Sequence, residues 1–403
     1  MTPLSIAIFG NTNNYPFLMA QGLRLLGHNV RLVINRKELL HRPEARYLDW
    51  AGGYPDWVVD CSNLSDEDVA FETPAIDLAI QHLTHNVDLV ILNDVGPAFA
   101  SYLRTPHAVV LTGSDLAYYA NFASLEMRAR MWDPEFKRSP QGRRYLRRMA
   151  DFVTRQRDGI LGAEVVCYGQ RGLVPSGDQI LDEIGVRDER RLMLHFSNTI
   201  DLKAQPLTQN DKLIILCGSR VVYRPNHNPA LSAMDFKGTD VLLKGFALYC
   251  QRGGKGELRL PRKGQDLHAA VDLISELAIG DQVHWLDEMP LVRFYEEMIA
   301  ADVVCDQFGS SYPGMVATDA YALGRPVMAK LRPEIFSQRF PEPLPGFDAE
   351  TPEKIADHLM KMEQSRVVLA EMGQKSRAYA ETYLSPESMA KQLLEKWFCI
   401  GNV

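Results

Sequence analysis

Short apolar runs punctuate the chain, and helix-length amphipathic stretches separate them. In the first half the runs are Ser5–Gly10, Val30–Ile34, Val87–Leu92, His107–Leu111 and Ala163–Cys167. In the second half they are Lys212–Cys217, Glu257–Leu260, Gln282–Trp285, Ala301–Cys305 and Pro326–Ala329. Continuous runs of Val, Ile and Leu suit strands covered on both faces of a parallel sheet. Their alternation with helices makes successive βαβ units. Five such strands in each half predict an α/β protein of two doubly wound, Rossmann-like domains.

The break between the halves is predicted at Asp201–Asp211, a polar stretch with Pro206 that precedes a fresh strand. This gives a first domain over 1–205 and a second over 206–384. From Ser385 the chain reads as a closing helix over 385–403, with Pro386 early and Met389, Leu393, Leu394 and Trp397 at helical spacing. That helix can pack on either domain, including back on the first. A length of 403 residues agrees with two cores, since one core stops growing at roughly 250–300 residues.

Charge and cysteine usage narrow the class. The chain carries 44 basic and 51 acidic residues, a net of −7, which argues against a general nucleic-acid binder. The six cysteines lie far apart without a C-x-x-C pair, against both a zinc site and a disulfide framework. No apolar stretch reaches the ~18 residues of a spanning helix, and the first residues lack a basic, cleavable leader pattern. The expectation is a reduced, cytoplasmic protein. One segment departs from the mean: 127–157 holds ten basic and three acidic residues, a local +7 that leaves −14 for the remainder. Over 141–157, Tyr145, Met149, Phe152 and Val153 share one helical face while Arg143, Arg144, Arg147 and Arg148 occupy the others. A solvated basic face accounts for this pattern, and so does contact with an anionic membrane on its inner side.

The first βα turn reads Gly10-Asn-Thr-Asn-Asn-Tyr-Pro and not G-x-G-x-x-G, so a dinucleotide is not expected there. P-loop, zinc-protease and nucleophile-elbow motifs are also missing. The second half carries a denser constellation. Gly218-Ser-Arg220 ends one strand, Lys237-Gly-Thr-Asp opens a helix, and Ser311-Tyr-Pro-Gly-Met-Val-Ala-Thr-Asp-Ala-Tyr-Ala-Leu-Gly-Arg-Pro-Val327 forms a turn, helix and strand. Two cations and the amino end of a helix suit a diphosphate: amides donate to phosphate oxygens, and Arg220 and Lys237 neutralise the charge on a departing group. Asp319, further along the helix, can hold ribose hydroxyls. On the first-half side, Asp94 and Asp115 follow strands, where open α/β sheets bind ligands and where carboxylates also cap turns.

These motifs, in this order over about 212–330, resemble the C-terminal domain of a retaining GT-B glycosyltransferase of the family-four type. The first half is similar more loosely, through its first loop, Thr112-Gly-Ser-Asp-Leu116 and Asn198-Thr-Ile-Asp201. The resemblance implies two Rossmann-like domains facing a cleft and transfer of a sugar from a nucleotide diphosphate-sugar to a hydroxyl acceptor, with retention. No metal and no resident cofactor are implied, the nucleotide-sugar being a co-substrate. Arg220 and Lys237 match the diphosphate pair, and Gly314 and Met315 the turn that approaches phosphates and sugar. Asp319 matches the second acid of the E-x7-E motif, while Ser311 stands at its first acid. Thr112 stands where a histidine is common. The acceptor side is expected around Gly10, Asn11, Asn13, Asp94 and Asp115. A nucleotide-sugar epimerase or hydrolase, or a non-catalytic nucleotide-binding scaffold, fits the same motifs, the scaffold drawing on Ser311.

Overall fold

The computed structural model describes residues 2–47, 50, 52–224, 236–309 and 313–400. The chain divides into two compact units, one made of 1–169, 175–194 and 389–403, the other of 170–174 and 195–388. In the first unit, seven strands build an all-parallel sheet: β1 (Ser5–Phe9), β2 (Asn29–Ile34), β3 (Val58–Asp60), β4 (Leu89–Asn93), β5 (His107–Val110), β6 (Val165–Cys167) and β7 (Arg191–Leu192). Their spatial order is β3-β2-β1-β4-β5-β6-β7. In the second unit, β8 (Ile214–Cys217), β9 (Glu257–Pro261), β10 (Val283–Leu286), β11 (Val303–Cys305), β12 (Val327–Ala329) and β13 (Phe347–Asp348) pair in the order β10-β9-β8-β11-β12-β13, again all parallel.

All ten apolar runs are strands, and the central ones are buried at essentially every position, as covering on both faces requires. Three strands lie outside the sequence expectation: β3, β7 and β13. Each is two or three residues long and sits at a sheet edge, where too few apolar positions are demanded to leave a pattern.

The boundary also differs from the expected 205/206. Residues 195–206 already serve the second unit, because Ser197 bonds Leu384 and Thr318 through its backbone and hydroxyl, and buried Arg325 donates to the carbonyls of Gln205 and Pro206. The tail from Met389 belongs to the first unit, with Met389, Leu393, Leu394 and Trp397 buried.

Each sheet has one position where the strand order turns back on itself, between β1 and β4 in the first and between β8 and β11 in the second. Loops leave such a pair in opposite directions and open a crevice at the carboxyl edge, where ligands of doubly wound sheets bind. The registers set what meets there. Phe9 lies opposite Leu92, so Gly10 adjoins Asn93, and Cys217 lies opposite Cys305, so Gly218 adjoins Asp306. Helices Thr239–Gln251 and Pro352–Gln364 bury Leu242, Leu243, Phe246, Ile355 and Leu359 in one core with Ile215, Leu258 and Val303 of the sheet.

Candidate functional site

The second unit's crevice gathers most of the donor-side residues singled out above. Beyond β8 the chain runs through Gly218, Ser219 and Arg220, pinned by Gly218 N–H to the Cys305 carbonyl (3.1 Å) and Val221 N–H to the Lys263 carbonyl (2.8 Å). Arg220 is exposed at this loop. Lys237 arrives from the other side with its backbone clamped: its N–H donates to Val222 and its carbonyl accepts from Phe308 N–H (2.8 and 2.9 Å). Its ammonium donates to Gln307 Oε1 at 2.9 Å. Gly238 makes the clamp possible, since at φ +68° a Cβ there would sit 2.6 Å from Gly309 N.

At the centre of this cluster lies Asp306, the first residue after β11. It is 2% exposed and was not among the residues picked from the sequence. Its Oδ1 accepts from Ser219 Oγ at 2.6 Å, and its Oδ2 from the backbone N–H groups of Gly314 at 2.5 Å and Ala317 at 3.4 Å. Burial pushes its carboxyl above the usual range, while the bonds from Ser219 and Gly314 and the charge of Lys237 pull the other way. The signal that marks it is positional: an acid directly after Val-Val-Cys has left the sheet at the switch point.

Asp319 lies within the helix Met315–Ala322, 3% exposed, and accepts from the Tyr295 hydroxyl at 3.1 Å. Gly314 is the residue before that helix and Met315 its first. Ser311, the position of the missing acid, is outside the described residues. Behind the turn, fully buried His195 bonds the backbone of Pro313, and desolvation pushes its imidazole down to about 4 against that bond. It is therefore neutral near pH 7.

In the first unit's crevice the candidate side chains are committed to bracing loops. Gly10, at φ +87°, has room for no Cβ, which would meet the Asn93 carbonyl at 2.6 Å. Asn11 is fully buried, donating to Asn14 and His41 and accepting from Phe17 N–H. Asp94, also fully buried, is held by Arg36 and Asn35. Asp115 caps its own turn, accepting from the N–H groups of Thr112, Gly113 and Leu116 and from Asn93. Burial raises its carboxyl to about 6 despite those amides. Asn13 is half-buried, and its N–H donates to His41 Nδ1 at 3.0 Å. This fixes the proton of neutral His41 on Nε2, and burial and Arg36 lower its pKa. His41 was not singled out from the sequence, because no neighbouring motif marks it.

The basic segment forms the helix Pro140–Gly162, capped by Ser139 Oγ on Gly142 N–H. Part of the 141–157 face is used internally. Arg148 and Arg155 reach the carbonyls of Phe71, Val69 and Ala70, Arg157 that of Ala120, and Tyr145 bonds Glu67. The exposed apolar side chains lie earlier, at Phe122, Met131 (77% exposed) and Phe136, next to solvent-facing Lys137, Arg138, Arg143, Arg144 and Arg147. A cavity of about 330 Å³ lies beside Met131, lined also by Tyr118, Leu125, Arg128, Trp132, Tyr145 and Met149. Among the described residues no helix is long and apolar enough to cross a membrane, and no three acidic, His or Cys side chains gather as a metal site.

Comparison with solved structures bears on the fold. HepE of Anabaena, solved with UDP-glucose, superposes with a TM-score of 0.61 over 98% of this chain and 100% of its own, at 14% identity. The chain has the GT-B fold. Sucrose-phosphate synthase of Thermosynechococcus elongatus superposes at 0.59 over 99% of both chains with 14% identity. The lipopolysaccharide outer core galactosyltransferase WaaB does so at 0.55 over 98% and 99% with 12% identity. No protein-family model matches the GT-B chain described here, and no curated protein sequence does.

His195 gives this unit a signed pH dependence. The unfolded chain takes up the imidazole proton as pH falls through 6.5, the folded one only near 4. Stability from the neutral ring is complete above 6.5 and lost progressively between 6.5 and 4, to a total of roughly 3 kcal/mol. Urea unfolding across this window should show the wild-type midpoint falling relative to that of His195→Gln, which lacks the titration.

Proposed function

We propose that this protein is a glycosyltransferase that moves a sugar from a nucleotide diphosphate-sugar to a hydroxyl acceptor. The observation that carries the reading is the convergence of Ser219–Arg220, Lys237–Gln307 and the turn before Met315 on one switch-point crevice of the second unit. Fold likeness to proteins solved with UDP or UDP-glucose supports it.

In this reading Arg220 and Lys237 neutralise the diphosphate as the bond from its oxygen to the anomeric carbon breaks, and the sugar passes with retention to the acceptor hydroxyl oxygen, whose proton leaves with the diphosphate. Charge preorganised in a crevice stabilises the developing anion more strongly in the transition state than in the bound donor, which is what accelerates the step. Asp319 acts on the ribose, and Gly314 and Met315 border the sugar. The acceptor lies over the Gly10–Asn14 loop of the first unit. Asn11, Asp94 and Asp115, being buried, shape that loop from beneath, while Asn13 and His41 Nε2–H face the acceptor. We further propose an anionic membrane as the setting, with the contact centred on 122–147, the stretch that carries exposed Met131 and Phe136 and solvent-facing Arg144 and Arg147.

Arg220→Ala and Lys237→Ala should each lower turnover of a UDP-sugar by roughly 10²–10³-fold in a folded protein. Near-wild-type rates would remove both from the assignment. Because protein cations carry the leaving-group charge, transfer should persist in EDTA. Loss on chelation with rescue by magnesium or manganese would place a metal in the step.

Vesicle co-sedimentation tests the membrane contact. Each basic residue near an anionic surface contributes about 1 kcal/mol, so phosphatidylserine vesicles should retain the protein at low salt and release it as salt rises. Met131→Asp and the joint Arg143, Arg144 and Arg147 to Gln substitution should each weaken retention. Equal recovery with neutral vesicles would point to a soluble acceptor.

A further inference from the structure

We propose that Asp306 is the positioning residue of the donor crevice, a buried carboxylate that locks the loop after β8 and the turn before Met315 into one geometry. The assignment rests on the donor reading above for its purpose but not for its geometry. Two chain segments meet on this one side chain, one 87 residues before it and one 8 to 11 residues after it. Ser219 approaches from the end of β8, Asp306 itself leaves β11, and Gly314 and Ala317 bring the amino end of the helix Met315–Ala322. The neighbouring residue, Gln307, takes the Lys237 ammonium, so the same two-residue step also sets the position of that cation.

The bonds explain why a carboxylate occupies a position that burial penalises. The first amides of a helix have no intrahelical acceptor. The first bond inside this helix runs from Thr318 N–H to the Gly314 carbonyl, so the Ala317 N–H has to look outside, and Asp306 Oδ2 receives it together with that of Gly314. An anion at a helix amino end is also favoured by the dipole. Packing leaves the turn little freedom: a Cβ on Gly314 would lie 2.9 Å from Gln307 Nε2 and 3.3 Å from Asp306 Oδ2. With two of the amino-end amides held from inside the protein, a diphosphate is read by Arg220, Lys237 and the remaining amides between them, Met315 and Val316. Asp306 touches no ligand in this scheme. It decides where the groups that do are found, and displacement of a positioned group by about 1 Å can cost on the order of 10²-fold.

Asp306→Ala and Asp306→Asn separate the role from simple bulk. The amide of Asn can accept from Gly314 N–H while its NH2 donates to the Ser219 hydroxyl, so the straps survive without the charge. Ala removes them. Hydrogen exchange of the peptide spanning Gly314 and Ala317 is expected to quicken at least ten-fold in Asp306→Ala and to stay near wild type in Asp306→Asn. Calorimetric affinity for UDP should fall 10- to 100-fold in the first and less than about three-fold in the second. Unchanged exchange in folded Asp306→Ala would overturn the proposal, as would unchanged UDP affinity beside a wild type that binds. A wild type that ignores UDP while the exchange result holds would count against the donor reading and leave the positioning role standing. Should Asp306→Ala not fold, Ser219→Ala cuts one strap alone and is expected to weaken UDP about three-fold with faster exchange at Gly314. Wild-type behaviour in that variant would equally overturn the proposal.

Discussion

A strand hydrogen-bonded on both sides and covered on both faces has no place for a polar side chain except beyond its ends. The central strands of both sheets obey this constraint along nearly their whole length. Because the strands are parallel, their ends of one kind share an edge, and what the interior rejects accumulates there. In the first unit that edge holds Gly10, Asn93, Asp94 and Thr112. In the second it holds Gly218, Ser219, Asp306 and Gln307. The chemistry of both crevices is thus a by-product of the same packing rule.

Both edges use buried carboxylates to order their loops, and the contrast among them lies in what offsets the burial. Asp94 has the guanidinium of Arg36 against it. Asp115 is met by backbone amides, and burial pushes its carboxyl up to about 6. Asp306 stands between these cases, with a hydroxyl, two amides and the more distant charge of Lys237. At the opposite end of β11, Asp302 is paired with Arg366 and receives the Ile214 N–H, tying β8 and β11 together at the edge away from the crevice. Strand β11 therefore has an acid at each end: one joins strands, the other joins loops.

Much of this was legible in the sequence because burial on two faces leaves long apolar signatures. Ala301–Cys305 and Lys212–Cys217 read as strands covered on both faces. The edge strands β3, β7 and β13 left no such trace, since two or three residues with one neighbour need few apolar positions. Arg220, Lys237 and Gly314 could be picked out because glycines and cations after strand ends form recognisable groups. Asp306 and His41 could not, because their roles depend on partners 87 and 28 residues away in the chain. In the first unit the sequence points to the Gly10–Asn14 loop, yet it does not tell Asn11, which faces inward, from Asn13, which is half-buried. Three asparagines within the four residues 11–14 carry no periodicity from which direction can be read.

The first unit is not finished when its seventh strand has been made. Met389, Leu393, Leu394 and Trp397 belong to it, and nearly two hundred residues of the second unit, 195–388, separate them from Leu194. On the ribosome, the first unit must wait for its last buried apolar side chains until residues 389–397 have emerged. The second unit has no such debt, for all but its short 170–174 segment is contiguous. Synthesis therefore favours an order in which the later-made of the two units is the first able to close completely, and a cut at the linker yields a second half that is nearly self-sufficient and a first half that is not.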